Sequence, residues 1–233
     1  MTSLAASARR GLMVVAASVL LAGCAIGPSP TPKPECPSAA PSAADAPAII
    51  GDTTALDVHT NKGSFTIELD PSSAPIAAAN FVALAACGFY DGQSFHRVIE
   101  GFVAQAGDPQ TKANHGDFAG IGTGGPGYHF EIEMPLAGTT YSKYMVAMAN
   151  AMQYDPNTGE IQGGTDTNGS QFFVMLDDAD FLLPYYSVLG EVVAGTEVVD
   201  AIGQVPTSGD PLNVPLDPVI IDEIVPGAVP QAS

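Results

Sequence analysis

The pattern that most restricts the fold of this chain is a series of short apolar runs, separated by turn residues, that read with the two-residue period of a strand. Leu56 and Val58, then Phe65, Ile67 and Leu69, alternate with polar neighbours across Asn61-Lys62-Gly63, the signature of a half-buried hairpin. Phe95 to Gly107, Met145 to Asn150, Phe172 to Leu176 and Ser187 to Val193 read as further strands, and Val219 to Val225 as a last one. Only two segments carry helical signals. Ser72 or Ser73 is placed to cap a helix with Pro75 in its first turn, Ala77, Phe81, Leu84 and Ala85 share one face, and Gly88 stops it. The second spans Thr196 to Ile202. Many short strands with two helices predict a closed, mostly antiparallel barrel, which leaves no strand edge exposed.

The N-terminus does not belong to that pattern. Arg9 and Arg10 precede the apolar stretch Leu12 to Leu21, which is shorter than the roughly 20 residues needed to span a bilayer. Leu21-Ala22-Gly23-Cys24 follows, and it resembles the lipobox of bacterial lipoproteins, in which the cysteine is diacylated and becomes the new N-terminus. Residues 1–24 are therefore expected to be a lipoprotein export signal, with Cys24 lipidated and the protein anchored at the extracytoplasmic face of the cell membrane. Two acyl chains hold a protein stably where one is marginal. Residues 25–52 are rich in Pro, Ala and Ser and read as an extended linker. The domain is placed at 53–226, one core's worth of chain, and a flexible tail at 227–233.

Setting aside the first 24 residues leaves five basic residues against 25 acidic ones. That balance excludes nucleic acid as a partner, as well as attachment to anionic head groups by charge. Cys36 and Cys87 either form a disulfide that pins the linker to the domain or stand as two unpaired thiols. The alanine-rich helix end around Cys87 favours the thiols.

Arg97 is the only arginine beyond the export segment, and it sits inside Phe95-His96-Arg97-Val98-Ile99. A chain so poor in arginine keeps one in an apolar run either for an ion pair or for its planar fork of N–H donors. If the hairpin turns about Gly101, positions summing to 202 face each other. Arg97 then stands opposite Gln105, and Phe95 opposite Gly107. An arginine and a glutamine would share one face beside Phe102 and Val103.

Phe95-His96-Arg97-Val98-Ile99 with Gly101-Phe102 and Gln105-Ala106-Gly107-Asp108, then Gly122-Thr123-Gly124-Gly125-Pro126-Gly127-Tyr128, Met148-Ala149-Asn150-Ala151 and Asn168-Gly169-Ser170-Gln171-Phe172-Phe173 resemble successive motifs of cyclophilin-type peptidyl-prolyl isomerases. They run in family order into Val188 to Val193 and Val198 to Ile202, so the resemblance covers about residues 54 to 225. It implies an eight-stranded antiparallel barrel capped by two α-helices, and a monomeric, cofactor-independent enzyme acting on X-Pro peptides and unfolded exported proteins. By the same resemblance Arg97 is similar to the catalytic arginine, with His96 preceding it. Phe102, Val103, Phe173 and Leu182 match the wall of the proline pocket. Gln105 and Gln171 match groups that orient peptide and arginine. Ala149, Asn150 and Ala151 match the strand edge along which substrate lies, with Gly122 a neighbouring backbone contact. Phe181 and Tyr186 stand where the family often has tryptophan and histidine, Val103 where methionine is usual and Glu100 where proline is common. The missing indole weakens any expectation of cyclosporin-like ligands. Pro109 to Ile121 and Met152 to Thr167 are longer than usual and should flank the groove.

The chemistry suits those residues. Rotation of an X-Pro bond is resisted by amide resonance, a barrier of roughly 18–20 kcal/mol. Twisting restores a lone pair on the prolyl nitrogen, to which a fixed guanidinium can donate in the twisted state alone. Other readings are weaker. Gly122 to Gly127 lacks the Lys-Ser/Thr of a phosphate loop, and Ser170 has no nucleophile elbow. His129, Glu131 and Glu133 alternate, as metal ligands or a solvated strand face would; Asp155-x-Asn157-x-Gly159 fails the spacing of a calcium loop. No metal and no cofactor is expected. The rival function is a non-catalytic holdase that binds proline peptides in the same groove.

Overall fold

The computed structural model describes residues 1–2, 32–113 and 120–229. From Lys33 onward the chain forms one unit. It opens with α1 (Ala46–Ile50) and the hairpin β1 (Ala55–Thr60) and β2 (Gly63–Leu69), where Leu56, Val58, Phe65 and Ile67 are buried as their alternation predicts. Then come α2 (Pro75–Ala86), β3 (Ser94–Phe95), β4 (Arg97–Ile99) and β5 (Val103–Ala106), and a 3₁₀ turn over Pro109–Lys112. They are followed by β6 (Met145–Met148), the small hairpin β7 (Gln153–Tyr154) and β8 (Ile161–Gly163), β9 (Phe172–Met175), β10 (Val188–Ala194), α3 (Thr196–Gly203) and β11 (Val219–Gly227).

Nine strands form one antiparallel sheet in the order β3-β11-β1-β2-β10-β6-β9-β5-β4. Its two ends are halves of a single segment interrupted at His96. Ser94 and Phe95 pair with β11, and Arg97 to Ile99 pair with β5. The sheet therefore closes on itself, and counting the broken strand once gives the expected eight. The break also corrects one expectation: Phe95 faces Val219, not Gly107, because the segment changes neighbours at His96, whose N–H donates to the Gln105 carbonyl at 3.0 Å.

The main core joins the inner faces of the strands to α2 and α3, with Phe81, Tyr90, Phe95 and Phe172 in edge and tilted contacts 5.0–6.2 Å apart. The helices differ from expectation in three respects. Neither Ser72 nor Ser73 caps α2, because both hydroxyls donate to Asp70. The carboxylate of Glu133 instead accepts the N–H groups of Ile76 and Ala77 at 3.0 and 2.8 Å, satisfying orphan donors and facing the positive end of the helix dipole. Residues 129–133 form no strand, only an isolated bridge from Phe130 to Asn168, with His129 and Glu131 exposed and Glu133 turned to the helix. There are also three α-helices among the described residues rather than two.

The third difference concerns the linker. Its second half is folded: Ala46 and Ile50 of α1 pack on Ala78 and Ala79 of α2. Cys36 and Cys87 are joined in a disulfide, against the expectation of free thiols, and Lys33 pairs with Asp91. Alanines on the back of α2 leave a shallow apolar face that α1 covers. Residues 33–52 are thus a strap on the domain rather than a spacer. Residues 3–24 of the export signal with Cys24, residues 25–31 of the linker and residues 230–233 of the tail lie outside the described residues.

Candidate active site

The alternation of β5 and β9 separates two environments. Ala104, Ala106, Phe172 and Val174 point into the main core; Val103, Gln105, Phe173 and Met175 point the other way. On that second face Val103, Ala147, Phe173 and Val188 form a smaller apolar cluster, against which Phe102, Ala149, Leu182 and Tyr186 pack. The turn that returns β5 beside β4 needs Gly101 at φ +69°, a region that favours glycine. Its register is Arg97 opposite Gln105, Val98 opposite Ala104 and Ile99 opposite Val103, as the sequence predicts.

Arg97, Gln105 and Asn150 meet there around an open hollow of about 210 Å3. Its walls are Phe102, Val103, Phe173 and Leu182, with Ala149 and Tyr186 completing the rim. Arg97 Nη1 donates to Gln105 Oε1 at 3.4 Å, Gln105 Nε2 to Gln171 Oε1 at 2.9 Å, and Gln171 Nε2 to the carbonyls of Gly122 and Gly124 at 3.0 and 2.8 Å. No carboxylate pairs with Arg97 among the described residues. Burial raises the phenol of Tyr186, while the charge of Arg97 acts the other way.

A neighbouring hollow of about 350 Å3 is bounded by Gln105, Gln171, Gly122, Asn150, Ala151 and Thr167. Asn150 anchors its own turn, donating from its amide to the Tyr185 carbonyl at 2.9 Å and accepting from the Met152 N–H at 3.1 Å. The Ala149 N–H is taken by the Gln171 carbonyl and the Ala151 N–H by Thr167. The long segment from Met152 to Thr167 folds as the β7–β8 hairpin, braced by Tyr154 against Tyr185, and stands beside this hollow as expected.

Two predicted site residues lie outside the lining of the apolar hollow and of its neighbour. His96 is buried and lines a separate space on Arg97 and Gln105 rather than the apolar hollow, because it sits at the strand break. Phe181 is 74% exposed, its ring 5.5 Å from that of Phe102 outside the lining. Sequence reasoning also missed Asp108. Fully buried, it accepts from Gln110 N–H at 2.8 Å and from the N–H groups of Gly122 and Gly124 at 2.6 and 3.1 Å. It thereby holds the glycine loop whose carbonyls receive Gln171. An Asp-Pro step ahead of a glycine-rich loop was the available signal.

The family profile described as "Cyclophilin type peptidyl-prolyl cis-trans isomerase/CLD" matches residues 55–225, and the chain belongs to that family of peptidyl-prolyl isomerase enzymes. Peptidyl-prolyl cis-trans isomerase A of Mycobacterium tuberculosis is 38% identical over 189 residues, covering 74% of this chain and 91% of the relative. A peptidyl-prolyl cis-trans isomerase of Helicobacter pylori is 38% identical over 157 residues, covering 66% of this chain and 83% of the relative. Among solved structures, a cyclophilin-type isomerase of Cryptosporidium parvum, crystallised in the presence of the dipeptide Ala-Pro, superposes with a TM-score of 0.61 at 31% identity, covering 74% of this chain and 98% of that one.

Proposed function

We propose that this isomerase turns X-Pro bonds in exported proteins at the outer face of the cytoplasmic membrane, with Arg97 as the catalytic group. The observation that carries the reading is a guanidinium without a carboxylate partner among the described residues, at the rim of an apolar hollow and tied only to an amide oxygen. The proline ring occupies that hollow; a proline-containing substrate is in keeping with the Ala-Pro present with the Cryptosporidium relative. The residues preceding proline lie along Ala149, Asn150 and Ala151 as an added strand, and the apolar walls exclude water that would compete for the guanidinium.

As the amide twists, its nitrogen turns pyramidal and basic, and an Arg97 N–H donates to the restored lone pair. Planar ground states gain little from that donor, so stabilisation is confined to the transition state. A barrier lowered by about 6 kcal/mol accelerates rotation on the order of ten-thousandfold. Gln105, Gln171 and the glycine loop on Asp108 position the guanidinium by a chain of hydrogen bonds. Arg97→Ala with an unchanged circular dichroism spectrum should lose most turnover of a short X-Pro peptide, and Arg97→Lys should be poor because it keeps charge without the fork. Wild-type turnover by Arg97→Ala would show that Arg97 is not the catalytic group, whereas no turnover by the wild type would leave the groove as a binding site alone.

The export reading is supported by the Cys36–Cys87 disulfide, a bond that persists in oxidising compartments. The lipid anchor on Cys24 is tested by fractionation: Cys24→Ser should move the protein from the membrane pellet to the soluble fraction.

A further inference from the structure

Arg97 and Gln105 serve two spaces at once. Besides the apolar hollow, they line a separate one of about 240 Å3 whose other principal walls are His96, Ile121, Pro211 and Leu212. His96 is 4% exposed, and among the described residues neither of its ring nitrogens has a hydrogen-bond partner. A neutral imidazole carries one N–H and one lone pair, and burying both unmet is costly. Burial lowers its pKa from 6.5 to about 4, with the charge of Asp108 opposing and that of Arg97 adding, so the ring is neutral near pH 7. The rest of the described lining is apolar; Leu212 is half exposed, and no carboxylate borders the space among the described residues.

This wall is built. Ser208 N–H donates to the Val214 carbonyl at 2.8 Å, the Asn213 amide to Asp210 at 2.8 Å, and Val98 N–H to the Asn213 carbonyl at 2.9 Å. The last bond ties the loop to β4, the strand that carries Arg97. We infer that the hollow is a subsite for the side chain of the residue following proline, and that it selects an aromatic ring bearing a hydroxyl, tyrosine before phenylalanine. The inference rests on the isomerase reading above. With the ring in the apolar hollow and the preceding residues along Asn150, the chain leaves past Arg97 and Gln105, the wall both spaces share. Apolar walls take an aromatic ring, and a phenol both donates and accepts, matching the imidazole. Lysine or arginine there meets the guanidinium as a like charge, and a carboxylate would pair with it and divert it from the prolyl nitrogen.

The test is exchange NMR on Ala-Ala-Pro-Xaa peptides with Xaa as Tyr, Phe, Ala or Glu, using wild type and Leu212→Asn. Wild type should favour Tyr over Ala on the order of tenfold, Tyr over Phe by less, and Glu least. Leu212→Asn should cut the Tyr-to-Ala ratio by about threefold or more. His96→Phe, where it folds, should erase the Tyr-over-Phe preference; Leu212→Asn carries the test where it does not. Equal turnover of Tyr and Ala by a wild type active on both, or a ratio unmoved in Leu212→Asn, overturns the subsite and leaves the isomerase reading standing. A wild type inactive on all four peptides overturns that reading instead.

Discussion

Arg97 and the strap of residues 33–52 are fastened in opposite ways. Among the described residues the guanidinium is held by a single 3.4 Å hydrogen bond, to an amide that is itself passed along through Gln171 to loop carbonyls. The strap is held covalently by Cys36–Cys87, by Lys33 on Asp91 and by the packing of α1 on α2. An amide partner leaves the arginine charged, with donors to spare, whereas a carboxylate would occupy them. The strap contributes no lining to the apolar hollow and can be rigid at no cost to chemistry. Activity and stability should therefore separate between the two regions.

The largest effect should come from Arg97→Ala, a hundred- to thousandfold loss in kcat/KM at about wild-type stability, the range for removing one preorganised donor. Next is the strap. Cys36→Ser with Cys87→Ser should cost about 2–4 kcal/mol in urea unfolding while peptide turnover at 25 °C is retained; equal losses of both would show that the two regions are coupled. His96 gives a pH-dependent term of similar size. Its folded pKa of about 4 lies below the ordinary 6.5, so the unfolded chain binds the proton first. The associated stability is complete above about pH 6.5 and declines by up to about 3 kcal/mol as the pH falls toward 4. Unfolding at pH 7.5 and 4.5 should show a smaller decline in His96→Gln than in wild type. Smallest is Glu133→Ala, which strips the cap from α2 and should cost about 1 kcal/mol, measured as a lower urea midpoint with turnover unaffected.

The barrel and the central pair of the site were legible because both depend on local pattern. Alternation marks which residues face inward, and one glycine turn sets Arg97 opposite Gln105. Features that depend on distant chain were not. Glu133 caps a helix whose first N–H groups lie 56 and 57 residues away, while two serines beside that helix carried the local signal. Cys36 sits in a stretch whose composition reads as unstructured, and its docking depends on distant partners, Cys87, Asp91 and the alanine face of α2. His96, which the resemblance places in the peptide site, lines a second space on Arg97 and Gln105 and not the apolar hollow, because the strand breaks there and its alternation does not carry through.

That interruption has a further consequence. Arg97 begins the half-strand that holds one edge of the sheet, directly after the half-strand that receives β11. The guanidinium is thus mounted at the weld, and its aim depends on the last strand having arrived. A nascent chain lacking β11 should have the motif residues in hand and no turnover, so the emergence of catalysis during synthesis or refolding reports when the ring is complete.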